Sequence, residues 1–160
     1  VSQDATALAH AADDLRSDRD LVLKAVAQSG KALLCAAEEL RADREFVRSA
    51  VAVSGLALEF ASADLKGDIV AVLAAVTKHG AALEFAGEDL RSNKDVVLEA
   101  VAQDGCALQF AAPAFKLDKA VVLKAVQQSG EALSYAHESL RGDTDFLLEL
   151  LVEVGAEHLL

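Results

Sequence analysis

Glycine recurs at Gly30, Gly55, Gly80, Gly105, Gly130 and Gly155, always 25 residues apart. A chain with a fixed period of this length builds one supersecondary unit per period, and each unit must bury its apolar side against its neighbours. Taking glycine as position one, position four is Leu33, Leu58, Leu83, Leu108 and Leu133, with Leu8 in an opening unit where Ala5 replaces glycine. Position seven is Ala11, Ala36, Ala61, Ala86, Ala111 and Ala136, and position eleven is Leu15, Leu40, Leu65, Leu90, Phe115 and Leu140. Position fourteen is Asp18, Asp43, Asp68, Asn93, Asp118 and Asp143. The chain therefore reads as a single array over residues 1–160, with repeats at 5–29, 30–54, 55–79, 80–104, 105–129 and 130–154 and partial repeats at 1–4 and 155–160. Both flanks are in phase with the cycle, so further repeats of the same parent chain are expected.

Within one unit, the stretch from Gly80 to Leu90 places apolar residues at positions three, four, seven and eleven with Phe85 at six, a helical spacing. The run Lys94 to Asp104 then sets Val97, Ala100 and Val101 on one stripe and Asp95, Glu99, Ala102 and Gln103 on the other, predicting a second amphipathic helix. The position-fourteen side chain is expected to cap that helix, since its oxygen can accept from the free amides of the first turn. The following glycine is expected to end it in the left-handed conformation that only glycine adopts cheaply. Helices of two to three turns are too short to be stable alone. The expected fold is thus all-α, a solenoid of six tandem helix-turn-helix repeats.

The motif G-x-A-L-x-F-A-x-E-D-L-R-x-D-x-x-V-V-L-x-A-V-x-x-x-G closely resembles the short repeats grouped as domain of unknown function 4116, and the likeness extends over essentially the whole chain. That resemblance implies no activity. The stretch from Leu40 to Val51 is more distantly similar to leucine-rich variant repeats, which implies a two-helix unit with one helix of 3-10 character.

Composition limits the partners. Lys and Arg number 15 against 26 Asp and Glu, a formal charge of −11, which opposes non-specific binding to nucleic acid or anionic membranes. The longest apolar run, Ile69 to Val76, is far shorter than the roughly 20 residues of a spanning helix, so no direct membrane insertion is expected. Two cysteines, Cys35 and Cys106, give no disulfide framework, and a reducing compartment such as the cytoplasm is the default. An organelle reached after removal of a targeting segment is the alternative.

Candidate chemistry is sparse. His10, His79, His137 and His158 fall at different phases and form no ligand cluster, so neither metal nor cofactor is expected. His10, Cys35, Phe60, Phe85, Phe110 and Tyr135 share position six and read as a ladder of core side chains. Position twelve is basic throughout, at Arg16, Arg41, Lys66, Arg91, Lys116 and Arg141. Its place at a helix C-terminus, two residues before the aspartate, reads as helix-dipole and salt-bridge scaffolding rather than an anion strip. Carboxylate pairs such as Glu38-Glu39 and Glu88-Asp89 recur unit after unit, whereas an active site occurs once, so an enzyme is not expected.

Three departures from the pattern stand out. Arg48 takes the place of Leu23, Leu73, Leu98 and Leu123, predicting a rotated helix or a snorkelling side chain. Pro113 and Phe115 alter a first helix and its connector. In the last unit Leu147, Leu148, Leu150, Leu151 and Val152 make the helix apolar nearly all round, and residues 130–160 hold seven acids and one base. This end is therefore expected either to pack on further chain or to be available to a partner, with Leu147, Leu151, Glu149 and Glu153 as the candidate partner surface. The expected function is a non-catalytic scaffold for protein–protein interaction, or a structural subunit of a larger assembly, with a protein partner of basic surface. Specificity would come from the variable positions two, five, twenty, twenty-three and twenty-four. The alternatives are a passive spacer array in a longer multidomain protein and, more remotely, a helical-repeat nucleic-acid binder.

Overall fold

The structure, a computed structural model, describes residues 13–155. His10, His158, the partial repeat at 1–4 and all of the partial repeat at 155–160 except Gly155 lie outside the described residues. Among the described residues every regular element is helical. Each repeat ends in a long helix: α1 (Arg19–Gln28), α2 (Arg44–Val53), α3 (Ile69–Lys78), α4 (Lys94–Gln103), α5 (Lys119–Gln128) and α6 (Thr144–Val154). Successive long helices stack on one another, and α2 to α5 are each flanked by the 3-10 segments of their own and the next repeat. The 3-10 segments stack into a second ladder.

The expected first helix is not continuous. Residues Gly80–Phe85 form a 3-10 helix, the chain opens at Ala86 (φ −67°, ψ 150°), and a short α-helix follows at Glu88–Arg91. The same division recurs at Gly30–Cys35, Gly55–Phe60, Gly105–Phe110 and Gly130–Tyr135. A 3-10 helix has three residues per turn, so positions one, four and seven fall on one edge. That edge is the inward one: Leu33, Leu58, Leu83 and Leu108 are fully buried, with Ala36, Ala86, Ala111 and Ala136 beside them. The opening has a purpose as well, because it turns the position-eight amide toward the preceding repeat. Ala37, Gly87, Ala112 and His137 N–H donate to the carbonyls of Arg16, Lys66, Arg91 and Lys116 at 2.7–3.0 Å.

The recurring glycines differ from expectation too. The long helices end on an extended residue, Ser29, Ser54, His79, Asp104 or Ser129, and the internal glycines have no positive φ. Glycine is needed there for close approach. A Cβ on Gly80 would sit 2.5 Å from the Ala100 carbonyl oxygen, and Gly55 and Gly105 meet Ala75 and Ala125 in the same way. Among the described residues only Gly155, which ends α6, has positive φ, at 79°.

The core is one strip along the stack. Val22, Ala25 and Val26 of α1 recur as Val47, Ala50 and Val51, then as Val72, Ala75 and Val76, and so on through α5, all buried. Fully burying one Val or Leu contributes about 1.5–3 kcal/mol, so most of the stability lies in this strip. The position-six residues Cys35, Phe60, Phe85, Phe110 and Tyr135 are half-buried, packing against the core from its edge rather than within it. Pro113 is the first residue of the short helix Pro113–Leu117, where its missing N–H is not needed, so it starts that helix rather than bending the one before. α2 keeps the common register despite Arg48, with Phe46, Val47, Ala50 and Val51 buried; it is not rotated.

Candidate functional site

The capping residues do two jobs. Asp18, Asp43, Asp68, Asn93, Asp118 and Asp143 each accept from first-turn amides of the long helix that follows, as expected. Four of the aspartates also receive a base from the repeat before. Arg19 reaches Asp43 at 2.6 Å, Arg44 reaches Asp68 at 2.5 Å, and Lys94 and Lys119 reach Asp118 and Asp143 at 2.8 Å. The paired base is at position fifteen, not the position twelve foreseen. The rung missing from this series is neutral on both sides, since Ile69 stands where the base would be and Asn93 where the acid would be.

Asp68 is the most enclosed of these carboxylates, with 5% of its side chain exposed, and takes a second arginine, Arg48, at 2.6 Å. Arg48 is thus held in an ion-pair cluster that also includes Glu45, which explains an arginine where its counterparts are leucine. The guanidinium of Arg44, then that of Arg48, holds the Asp68 carboxyl well below the usual range against the opposing effect of burial. The Phe46 amide and then Arg19 lower Asp43; Lys94 lowers Asp118, and Lys119 lowers Asp143. Asp143 in turn raises the Lys119 ammonium, with smaller contributions from Glu149 and Asp145.

Two position-twelve bases bond backbone carbonyls, one across a repeat joint and one within its own repeat. Arg16 Nε donates to the Cys35 carbonyl at 2.9 Å and Lys116 Nζ to the Gln109 carbonyl at 2.7 Å. Position twenty-four, expected to vary for specificity, is a clamp in two repeats. Gln103 accepts from Gly80 N–H and donates to the Lys78 carbonyl; Gln128 does the same with Gly105 N–H and the Gln103 carbonyl. These side chains satisfy an amide that the start of a 3-10 helix leaves open. Thr77 at position twenty-three likewise donates to Glu99 across the repeat joint.

Among the described residues no group of three or more His, Cys, Asp or Glu is placed to hold a metal ion, and no helix is long and apolar enough to cross a membrane. No disulfide joins Cys35 and Cys106. His137 caps a short helix by accepting from Ser139 N–H. Open grooves lie between neighbouring 3-10 segments, one lined by Lys31, Leu56, Glu59 and Phe60 and another by His79, Ala81, Gln103 and Asp104.

The candidate surface at the last repeat is built on α6. Phe146 and Leu150 face inward and are buried, while Leu147 is half-buried and Leu151 is 42% exposed. In the preceding repeats the counterparts of Leu147 and Leu151 are fully buried valines, each covered by the next long helix. Leu133 is likewise only half-buried. The exposed apolar strip also includes Leu148 at 55% and Val152 at 85%, neither of which belongs to the candidate set read from the sequence. Along its edge run Asp145, Glu149 and Glu153, all exposed and spaced four residues apart on one helix face. Asp145 was also missed. Its signal was the i, i+4 spacing, which links it to the two glutamates already named.

No curated protein and no solved structure matches the chain. The family model described as Domain of unknown function (DUF4116) matches residues 1–41, 18–66, 71–116 and 118–151. Two of those matches open on a capping aspartate, Asp18 and Asp118, so the recurring cap and long helix lie within the family's pattern. With matches spanning most of its length, the chain belongs to this family of helical repeats.

Proposed function

We propose that this array is a non-catalytic interaction module, a helical scaffold that presents an extended surface to another protein or serves as a subunit of a larger assembly. One observation carries the reading: Leu148, Leu151 and Val152 form an exposed apolar strip on α6 beside the acidic row Asp145, Glu149 and Glu153. A spacer needs only a polar exterior, and a contiguous apolar patch on a stable chain marks a contact surface. The net charge of −11 favours a basic protein partner over nucleic acid. The repeated frame suits the role, because the in-register Val, Ala and Leu hold the stack while outward positions are free to change. Position twenty runs Lys24, Ser49, Ala74, Glu99, Lys124 and Glu149.

The test is affinity capture on the intact chain from its native source, followed by hydrogen exchange on the recovered complex. An interaction module retains a protein that slows exchange on a defined set of helices. Retention of nothing, with exchange unchanged everywhere, supports the spacer; recovery of nucleic acid that is released by salt supports the third reading.

A further inference from the structure

We propose that the exposed face of α6 docks an amphipathic helix with a basic flank, supplied by a separate protein; this rests on the interaction-module reading above. The positions that make the internal repeat joints are altered here together, and only one internal joint, at Ile69, shares any of these changes by lacking the base. Val, Ala and Val at positions eighteen, twenty-one and twenty-two of α1 to α5 become Leu147, Leu150 and Leu151. Thr144 stands where Arg19, Arg44, Lys94 and Lys119 reach the next capping aspartate. Gly155 has φ 79°, whereas the internal glycines stay at negative φ to enter a 3-10 helix. The base, the small residues and the backbone path that seat a regular repeat are all missing from this face, yet it is apolar.

Its chemistry states what would fit. On the helix, Leu151, Leu148 and Val152 fall on adjacent i, i+4 rows and form a ridge of the kind that packs against another helix. The acids lie along one side of that ridge, and α6 itself contains no Lys, Arg or His. Of the charged groups facing it from the repeat below, Lys119 is already bound to Asp143. Only in α6 are positions sixteen, twenty and twenty-four all acidic; the corresponding residues of α1 are Asp20, Lys24 and Gln28, and those of α5 are Ala120, Lys124 and Gln128. A second copy meeting this face about a two-fold axis would set one acidic row against another. Residues 156–160 hold one acid and no Lys or Arg, so they do not supply the basic flank.

The experiment measures fluorescence anisotropy of two labelled synthetic helical peptides titrated with the intact chain. Both carry a leucine stripe, one flanked by lysine and the other by glutamate. The Lys-flanked peptide binds, more weakly as salt rises, and the Glu-flanked peptide does not. Val152→Asp weakens binding about tenfold although it makes the protein more acidic, which separates docking from generic charge adsorption. Val152→Ser weakens it in the same direction without the added charge, and circular dichroism of both variants matches the parent because the side chain is exposed. The pair Glu149→Lys and Glu153→Lys reverses the peptide preference. Absence of binding, equal binding of the two peptides, or binding unaffected by Val152→Asp overturns the proposal. So does sedimentation showing a dimer that Val152→Asp dissolves, which assigns the face to a second copy. If a captured protein protects other helices and still binds the Val152→Asp chain, the α6 site fails while the interaction module stands. If capture retains no protein, the module itself fails.

Discussion

Adding one methyl group to Gly80 is expected to cost far more than its size suggests. The new Cβ would lie 2.5 Å from the Ala100 carbonyl oxygen, 2.8 Å from Asp104 Cβ and 3.0 Å from the Asp104 amide nitrogen. Two of these are backbone atoms, so relief requires the start of the 3-10 segment and the end of α4 to move apart. That movement stretches the 2.5 Å bond from Gly80 N–H to Gln103. Overpacking of this kind costs about 1–3 kcal/mol and a weakened hydrogen bond about 1 kcal/mol more. For a chain of this size the sum lowers Tm by about 5–15 °C. Gly67→Ala is the control. Gly67 has φ −92° and ψ −4°, and a Cβ there comes no nearer than 3.6 Å to the Asp64 carbonyl oxygen. That substitution should be neutral or stabilise by about 0.4–1 kcal/mol through the unfolded chain. Urea unfolding followed by circular dichroism measures both, and a fall in the slope for Gly80→Ala would report a stack split into two cooperative blocks. Equal midpoints for Gly80→Ala and the parent would refute the close-approach explanation of the 25-residue glycine period.

Asp68→Asn should keep much of the helix cap but strand Arg44 and Arg48, lowering stability by about 1–3 kcal/mol in the same urea assay. An unchanged midpoint would show that the cluster is merely permitted rather than stabilising. Ile69→Lys combined with Asn93→Asp should rebuild the missing rung, with a coupling of about 0.2–1 kcal/mol that salt removes; a double-mutant cycle yielding none would mean the other rungs also contribute nothing. The pH response follows from the capping carboxylates. Asp43, Asp68, Asp118 and Asp143 all have lowered folded values, so their contribution is complete above the unfolded carboxylate value of about 3.9 and is lost as pH falls below it. Lys119 is raised, so its contribution is complete below about pH 10.4 and is lost as pH climbs past its folded value. Urea midpoints that stay flat from neutral pH down to strong acid would contradict the carboxylate assignment.

The period, the capping role of position fourteen and the buried Leu and Val of each unit are local properties, and the sequence carried them openly. Other features depended on neighbours that a linear reading does not place. The spacing made the segment Gly80–Phe85 legible as helical, and only the likeness to leucine-rich variant repeats implied a 3-10 helix, without saying which one; Gly80, Leu83 and Ala86 are spaced by three, but Phe85 and Leu90 fit the α period equally well. The role of Gly80 is set by the Ala100 carbonyl, 20 residues on, so an end-of-helix rule pointed to the wrong cause. Asp43 pairs with Arg19, 24 residues away, and not with nearby Arg41. The hint was the neutral residue Ile69 among the bases, followed one repeat later by the neutral Asn93 among the acids. For the candidate surface, Glu149 and Glu153 stood out as charge, while Leu147, named with them, is half-buried. Which leucines of α6 face outward is fixed by how that helix sits on α5, and composition alone does not report it.

The rungs also set how such a chain can change in length. Each rung pairs position fifteen of one unit with position fourteen of the next, so cutting out one whole unit brings equivalent positions together. The joints are not all interchangeable, however. Removing residues 105–129 would bring Lys94 to Asp143, a like-for-like replacement of the pair it makes with Asp118. Removing residues 80–104 would instead set Ile69 against Asp118, and removing 55–79 would set Arg44 against Asn93. The neutral rung therefore works as a key: it makes the third and fourth units a matched pair, lost together without a mismatch, whereas the second or the fifth unit can be lost alone.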